Sequence, residues 1–224
     1  MRDNFFKIFS ATTRDLWRRF GLALALFSIA MIGFVSLADE VSEGETLAYD
    51  SAILEWLNTL ATPELDRVMV ILTNLGGVVA ISSLTGALII YLLYKRRKYA
   101  ALMMAFGVGG AAVINLILKS IFELTLPDLW TQIITEVSFS FPSGHAMGSS
   151  ALALSIILIL WRTKWRTISI VIGSFYVLII GLTRLYLGVH YPTDVIGGWL
   201  MSLGWIVLVA SFIFHWSLKK IRAT

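Results

Sequence analysis

Cysteine is absent from the 224 residues of this chain, and charged residues make up only 14% of it. The absence of cysteine excludes disulfide bonds, thiolate metal ligands and thiol nucleophiles. The shortage of charge, beside a hydrophobic content of 58%, excludes an ordinary soluble domain. The composition therefore predicts a chain that lies in a lipid bilayer and whose nucleophile, if it has one, is not a thiol.

Apolar runs that are long enough to cross a bilayer recur along the sequence. A span needs about 20 largely apolar residues to cross a hydrocarbon core about 30 Å thick. Six such runs fit, with short loops between them, so we expect an all-α polytopic membrane protein with a single domain over residues 1–224. The predicted spans cover residues 21–38, 68–94, 99–118, 145–161, 167–187 and 193–216.

The first apolar run, 21–38, has a signal peptide as its alternative interpretation. Ser36-Leu37-Ala38 resembles the small residues of a cleavage site. The run is longer than the apolar core of a signal peptide, which is usually about 7 to 15 residues. Cleavage would also leave five spans that start and finish on opposite sides. We therefore expect this run to remain as a membrane span.

The basic residues separate by membrane side. Fifteen of the eighteen lysines and arginines fall in the two tails and in two loops that share one side of the six-span arrangement. Short cytoplasmic loops hold the excess of basic residues, so we expect both termini to be cytoplasmic. Twelve of the fourteen acidic residues fall on the other side, together with Arg67, Lys119 and Arg184. Membrane orientation thus explains the net charge of +4, and no nucleic-acid partner is expected.

Two further segments are predicted to lie at the membrane surface. The apolar residues of the segment 5–9 favour an amphipathic helix in the interface. In the acidic stretch 39–66, apolar residues recur at helical spacing from Ile53 to Leu60. This spacing predicts a short surface helix between the first two spans. We expect that helix to shield the site described next.

Polar motifs lie at the ends of spans that meet on the outer face. They are KSIFELTLP at 119–127, FPSGH at 141–145 and TRLYLGVHYPTD at 183–194. Because odd and even spans run in opposite directions, the topology brings all three motifs to one face. Ionisable groups at membrane depth are costly and usually functional. For Lys119 taken alone, the alternative is a side chain that snorkels to the interface.

A histidine and an aspartate four residues apart form the centre of the third motif. If residues 190–194 are helical, Asp194 lies on the same face as His190 and holds the proton of one ring nitrogen. The other nitrogen is then free to act as a nucleophile or a base. Pro192 suits the first turn of the sixth span, although a proline is also able to kink this geometry.

The second motif has the features of an anion site. Ser143 is suited to cap the fourth helix, Gly144 lets the backbone approach a ligand, and a helix N-terminus offers free N–H groups. Lys119 and Arg184 nearby favour phosphate as the ligand, since arginine offers a bidentate fork and lysine a point charge. Taken alone, the PSGH sequence also fits an ordinary helix start.

PSGH followed by TR-x5-H-x3-D, with a lysine upstream, closely resembles the type-2 phosphatidic acid phosphatase superfamily of lipid phosphate phosphatases. Vanadium haloperoxidases and bacterial acid phosphatases also belong to this superfamily. The resemblance extends over almost the whole chain, because the six-span arrangement and the stretch DSAILEWLNTLATPELD before the second span are similar to bacterial members.

The resemblance implies a role for each residue of the motifs. His190 attacks phosphorus to form a phosphohistidine, Asp194 orients the ring, His145 protonates the leaving group, and water then releases phosphate. The residues that it implies for phosphate binding are Lys119, Ser143, Gly144 and Arg184. No metal and no cofactor are implied. Zinc held by the two histidines and the aspartate is the alternative, which the neighbouring cations disfavour.

The sequence departs from the family in the first motif, which normally reads K-x6-R-P. Leu126 stands in place of the arginine, and Leu124 stands where many relatives have a second one. The loss of one charge-assisted donor costs about 2 to 4 kcal/mol of transition-state stabilisation if nothing replaces it. Arg67 is a candidate replacement.

The resemblance implies an enzyme of the inner (plasma) membrane with its active site on the periplasmic or extracellular side. Its expected substrate is a membrane lipid phosphate such as phosphatidic acid, phosphatidylglycerophosphate, undecaprenyl pyrophosphate or the lipid A 1-phosphate. Two alternatives remain. One is a lipid phosphotransferase, in which an alcohol replaces water. The other is a transporter or flippase that binds an anionic headgroup without cleaving it.

Overall fold

The computed structural model describes residues 13–136 and 138–222, and this part of the chain forms eight helices. The helices are α1 (Thr13–Ser42), α2 (Leu47–Asn58), α3 (Pro63–Asn74), α4 (Val78–Tyr94), α5 (Lys98–Phe122), α6 (Gly144–Leu160), α7 (Arg166–Tyr186) and α8 (Pro192–Arg222). The interfacial helix predicted at 5–9 lies outside the described residues.

Within the described residues, five helical segments are long and apolar enough to cross a membrane. They are Phe20–Ser42, Pro63–Tyr94, Lys98–Phe122, Arg166–Tyr186 and Pro192–Trp216. The apolar helix α6 is shorter, with 17 residues. At a rise of about 1.5 Å per residue it covers slightly less than a hydrocarbon core about 30 Å thick. The protein is thus an all-α, multi-pass membrane protein with five long apolar helices and one shorter one.

The second apolar segment is built from two helices where the sequence predicted one span, 68–94. The helix is interrupted at 75–77, and this interruption is the break between α3 and α4. Gly77 has an extended backbone (φ −72°, ψ 160°) before α4 begins. A Cβ atom on Gly76 would lie 2.4 Å from Cγ2 of Ile180. Gly76 therefore lets Ile180 of α7 pack directly against the backbone, which a larger side chain at this position would prevent.

The core lies between α8 and the helices α1, α5 and α6, which pack around it. Phe141, just before the PSGH turn, is completely buried there. Its ring stacks on Phe34 of α1 at a centroid distance of 5.6 Å and meets Phe122 of α5 edge-on at 5.1 Å. On the α8 side, a Cβ atom on Gly197 would come within 2.6 Å of Phe141. These contacts fix the start of the second motif against three helices.

A helix is present in the acidic stretch where the sequence predicted one, and α2 packs onto α7 and α8. The side chains on its inner face are buried, and these are Asp50, Leu54 and Leu57. The large side chains on its outer face are exposed, and these are Tyr49, Ile53 and Trp56. This division fits a helix that covers the outer end of the bundle, whereas its contact with a membrane surface stays a prediction.

Candidate active site

Three helix ends converge at one end of the bundle, as the alternation of spans predicted. They are the end of α5, the start of α6 and the connection from α7 to α8. The N–H of Ser143 donates to the backbone carbonyl of Asp194 at 3.0 Å, which ties the second motif to the third. Lys119 and Arg184 both act electrostatically on His145. The structure therefore gathers the site residues predicted from the three motifs.

His190 and Asp194 form a buried pair. Nδ1 of His190 lies 3.2 Å from Oδ2 of Asp194, and each side chain is 1% exposed. Residues 190–191 are not helical, since α8 begins at Pro192, so the condition of a helix over 190–194 is not met. The pair forms because Asp194, in the first turn of α8, also accepts the N–H of Tyr191 at 2.8 Å. This reach back to the N-cap residue corresponds to one half of a capping box.

The partners of Asp194 decide how His190 is protonated. Ser140 donates its hydroxyl to the same carboxylate oxygen. This oxygen already accepts from Ser140 and from the N–H of Tyr191, so it also accepts from His190. Nδ1 of His190 then carries the proton and Nε2 carries the free lone pair. Burial lowers the pKa of His190, although Asp194 acts in the opposite direction. We therefore expect a neutral ring that presents an unprotonated nitrogen at the site.

Arg184 is buried at the end of α7, with 1% of its surface exposed. Its Nη1 donates to Oγ1 of Thr73 at 3.0 Å, and its Nη2 is paired with the carboxylate of Glu136. Two buried polar atoms, Nε of Arg184 and Oγ of Ser143, have no hydrogen-bond partner among the described residues. Leaving such a group unpaired costs about 1 to 3 kcal/mol. Phosphate oxygens would satisfy both atoms.

Lys119 does not snorkel to the surface. Its side chain is only 7% exposed, and Nζ donates to Oγ of Ser138 at 2.9 Å and to the carbonyl oxygen of Phe139. The alternative that its position alone suggested is therefore wrong. A lysine ammonium has three donors, so one remains for a ligand.

Glu136 belongs to the site, and the sequence did not single it out. Burial acts to raise its pKa, but the positive charge of Arg184 acts in the opposite direction, and the net shift is downward. Glu136 is thus ionised. It is paired with Arg184, the arginine to which the family resemblance assigns phosphate binding. It lies in the long loop before the PSGH turn, where no regular spacing marks it, and only the pairing in three dimensions identifies it.

The PSGH turn is held by close backbone contacts. Asn115, within the apolar α5, donates from Nδ2 to the carbonyl oxygen of Pro142 at 2.9 Å. A Cβ atom on Gly144 would lie 3.1 Å from Oδ1 of the same asparagine. On the other side, a Cβ atom on Gly198 would lie 2.9 Å from the carbonyl oxygen of Ser143. Gly144 is therefore needed for packing as well as for access to a ligand.

His145 stands in the first turn of α6, facing the break between α3 and α4. A Cβ atom on Gly77 would lie 3.7 Å from Nε2 of His145. Gly77 thus keeps one wall of the site free of a side chain.

The structure gives no support to Arg67 as a replacement for the missing arginine. Arg67 is exposed on α3, unlike the buried Lys119 and Arg184. Leu126 itself is half-buried in the loop after α5. The described site therefore has two buried cations and one carboxylate that pairs with the arginine.

The sequence model of the PAP2 superfamily matches residues 100–219, which is more than half of the chain. This chain belongs to the PAP2 superfamily. It is a membrane-bound lipid phosphate phosphatase, as the family resemblance implied, and lipid phosphates are the substrates that this membership implies. The match includes all three motifs.

Two individual proteins and one solved structure are similar to this chain. The chain is 29% identical over 184 residues to phosphatidylglycerophosphatase B of Bacillus subtilis (strain 168), covering 80% of this chain and 90% of that one. It is 26% identical over 190 residues to an undecaprenyl-diphosphatase of Sulfolobus acidocaldarius, covering 83% and 86%. The crystal structure of a transmembrane PAP2-type phosphatidylglycerolphosphate phosphatase from Bacillus subtilis has a TM-score of 0.77 at 28% identity, covering 83% and 94%.

Proposed function

We propose that this enzyme hydrolyses the terminal phosphate of a membrane lipid phosphate through a phosphohistidine formed on His190. The observation that carries the proposal is the buried His190–Asp194 pair, whose free Nε2 shares a site with two unpaired buried polar atoms. A nucleophile beside unsatisfied donors is the arrangement that phosphoryl transfer needs.

In the first step, Nε2 of His190 attacks phosphorus, and a P–N bond forms as the bond from phosphorus to the lipid oxygen breaks. His145 gives its proton to the departing oxygen. In the second step, His145 takes a proton from water, the water oxygen attacks phosphorus, and the P–N bond breaks to release phosphate. Asp194 holds the Nδ1 proton throughout and stabilises the positive charge that the ring acquires.

The charge of the five-coordinate transition state requires donors. Lys119, Ser143 and Arg184 supply side-chain donors, and Gly144 at the start of α6 supplies a backbone N–H that helix geometry leaves unpaired. To bind, phosphate displaces Glu136 from Arg184. The site thus exchanges a protein carboxylate for the anionic group of the substrate, which lowers the cost of keeping a buried arginine before the substrate arrives.

Phosphomonoesters are the substrates that this site fits best. With Leu126 in place of an arginine, the cradle has one cation fewer than the family pattern. A phosphomonoester carries about −1.5 to −2 charges at pH 7, less than a pyrophosphate. Phosphatidylglycerophosphate and phosphatidic acid are therefore proposed ahead of undecaprenyl pyrophosphate. The similarity to phosphatidylglycerophosphatase B is consistent with this order.

The orientation proposed for the protein is six spans with α6 as the fourth, both termini in the cytoplasm and the site on the periplasmic or extracellular side. The distribution of basic residues supports it. The acidic stretch that includes α2 then lies outside, together with the convergent helix ends.

Phosphate release in detergent tests the proposal. The purified protein is given phosphatidylglycerophosphate, phosphatidic acid and undecaprenyl pyrophosphate under identical conditions. His190→Ala is expected to lower kcat by about three orders of magnitude or more, because no other group takes over the attack. The matched control is His215→Ala, which changes an exposed histidine near the other end of α8.

Each alternative has its own outcome. Headgroup binding without release in the wild-type protein supports a transporter or flippase and contradicts the proposal. Phosphate transfer to an added alcohol in preference to water supports a phosphotransferase. Acid-labile, alkali-stable phosphate trapped on His190 from labelled substrate supports the intermediate. Turnover that survives in His190→Ala overturns the assignment of the nucleophile.

A further inference from the structure

Asp50 on α2 binds the first turn of α8, far from it in sequence. Its Oδ2 accepts the hydroxyl of Thr193 at 2.6 Å, and its Oδ1 accepts the backbone N–H of Thr193 at 3.3 Å. Asp50 is 4% exposed and Thr193 is 8% exposed. Both oxygens of one carboxylate thus hold a single residue of α8.

This contact caps the N-terminus of α8 with a side chain from another helix, α2. Thr193 follows Pro192, the first residue of the helix, so helix geometry leaves its N–H without a partner in α8. A carboxylate at this end is also favoured by the helix dipole. Asp194, the next residue, caps the same turn from within α8 by accepting the N–H of Tyr191. The first turn of α8 is therefore capped by two carboxylates, one from α2 and one from α8 itself.

The turn that Asp50 holds carries the reacting groups. Asp194 orients His190 through its side chain, and its backbone carbonyl accepts the N–H of Ser143 in the PSGH turn. A displacement of this turn would move the partner of His190 and the phosphate-binding turn together. Misplacement by about 1 Å is enough to cost a factor of about 100 in rate.

Burying the carboxylate of Asp50 is costly for the fold. Burial raises its pKa, although the hydrogen bonds from Thr193 act in the opposite direction. A buried carboxylate stabilises a protein poorly unless every lone pair is satisfied. The contact is therefore better explained by the position that it gives to α8 than by its contribution to stability.

We propose that Asp50 is a positioning residue for lipid phosphate hydrolysis, and that it acts through Thr193 on the His190–Asp194 pair. This inference rests on the proposed function. According to this inference, α2 does more than cover the outer end of the bundle. Through Asp50 it sets the geometry of the nucleophile without touching the substrate.

The test measures kcat and KM separately for phosphatidylglycerophosphate in detergent, with the thermal midpoint of each variant. Asp50→Ala and Thr193→Val are expected to lower kcat about 10-fold to 100-fold and to change KM less than about two-fold. Thr193→Ser keeps the hydroxyl and is expected to keep kcat within about two-fold. The double variant is expected to lose no more than the worse single one, because the two residues act as a unit.

A matched control and a conservative variant separate positioning from a merely structural role. Glu55→Gln removes an exposed carboxylate from the same helix and is expected to leave kcat unchanged. Asp50→Asn keeps one acceptor oxygen and is expected to show a smaller loss than Asp50→Ala. If Asp50→Ala does not fold, Asp50→Asn and Thr193→Val decide the matter.

Several results would overturn the inference. These are wild-type kcat in folded Asp50→Ala, a loss of activity that only follows the unfolded fraction, and an equal loss in Glu55→Gln. A wild-type protein that releases no phosphate from any lipid would instead overturn the proposed function, and this inference with it. Turnover in the wild type and in Glu55→Gln, with kcat unchanged in Asp50→Ala and Thr193→Val, would overturn the positioning role alone.

Discussion

The carboxylate of Asp194 has two tasks at the scale of the single residue. It closes the start of α8 through the N–H of Tyr191 and holds Nδ1 of His190. One oxygen serves both tasks, so the geometry of the helix end and the orientation of the ring depend on each other. The net shift of the pKa of His190 is downward, because burial together with Arg184 and Lys119 outweighs the opposing effect of Asp194.

A titration of the histidines by NMR tests the charge of His190. The chain has three histidines, so labelled histidine gives few signals, and single variants of the other two assign them. Because its pKa is lowered from 6.5, we expect His190 to be mostly neutral at pH 6.5 and to gain its proton only at lower pH. A midpoint at or above pH 6.5 would show that Asp194 outweighs burial.

Glu136 gives a second prediction at this scale. If its carboxylate competes with phosphate for Arg184, Glu136→Gln strengthens inhibition by inorganic phosphate, because the arginine loses its resident anion. The inhibition constant is expected to fall about 3-fold to 10-fold, which corresponds to the net contribution of one ordinary hydrogen bond. Asp128→Asn, in the same loop but exposed, is the control. Weaker phosphate inhibition in Glu136→Gln would mean that the glutamate helps to bind the anion.

At the scale of the element, the turn between α7 and α8 depends on Gly188. Its φ of +67° lies in the left-handed region, which favours glycine. Trp130 covers this glycine so closely that a Cβ atom there would lie 2.5 Å from Cζ2 of the ring. The turn carries His190 two residues later, so its conformation sets where the nucleophile stands.

Gly188→Ala is therefore expected to destabilise the protein by about 1 to 2 kcal/mol and to lower kcat. Gly109→Ala, on an open face of α5, is the matched control, since a Cβ atom there meets nothing within 4 Å. In a helix interior the same change is expected to stabilise by about 0.5 to 1 kcal/mol. Thermal midpoints in detergent measure both. Equal shifts in the two variants would contradict the role given to the turn.

At the scale of the whole molecule, sidedness is the property that the charges predict. Because the chain has no cysteine, single cysteines report position without a background. Glu45→Cys, in the exposed turn before α2, is expected to react with a membrane-impermeant maleimide on intact cells. Lys164→Cys, in the loop between α6 and α7, is expected to react only after the membrane is permeabilised. The reverse pattern would place the site in the cytosol.

The sequence by itself determined which residue types are present and where apolar runs begin and end. The motifs at 119–127, 141–145 and 183–194 followed from it, because they stand at the ends of long apolar runs. The family followed as well, since the spacing of the last two motifs is specific. The roles of His145, His190 and Asp194 in catalysis stay predictions.

Tertiary structure decided the contacts that the spacing of residues within one segment does not predict. The pairing of Glu136 with Arg184 and of Asp50 with Thr193 joins residues 48 and 143 positions apart. The break at 75–77 depends on how closely α7 approaches, and the burial of Lys119 depends on the loop that folds over it. These features arise from contacts between distant segments, and a pattern within one segment reports only on its own periodicity.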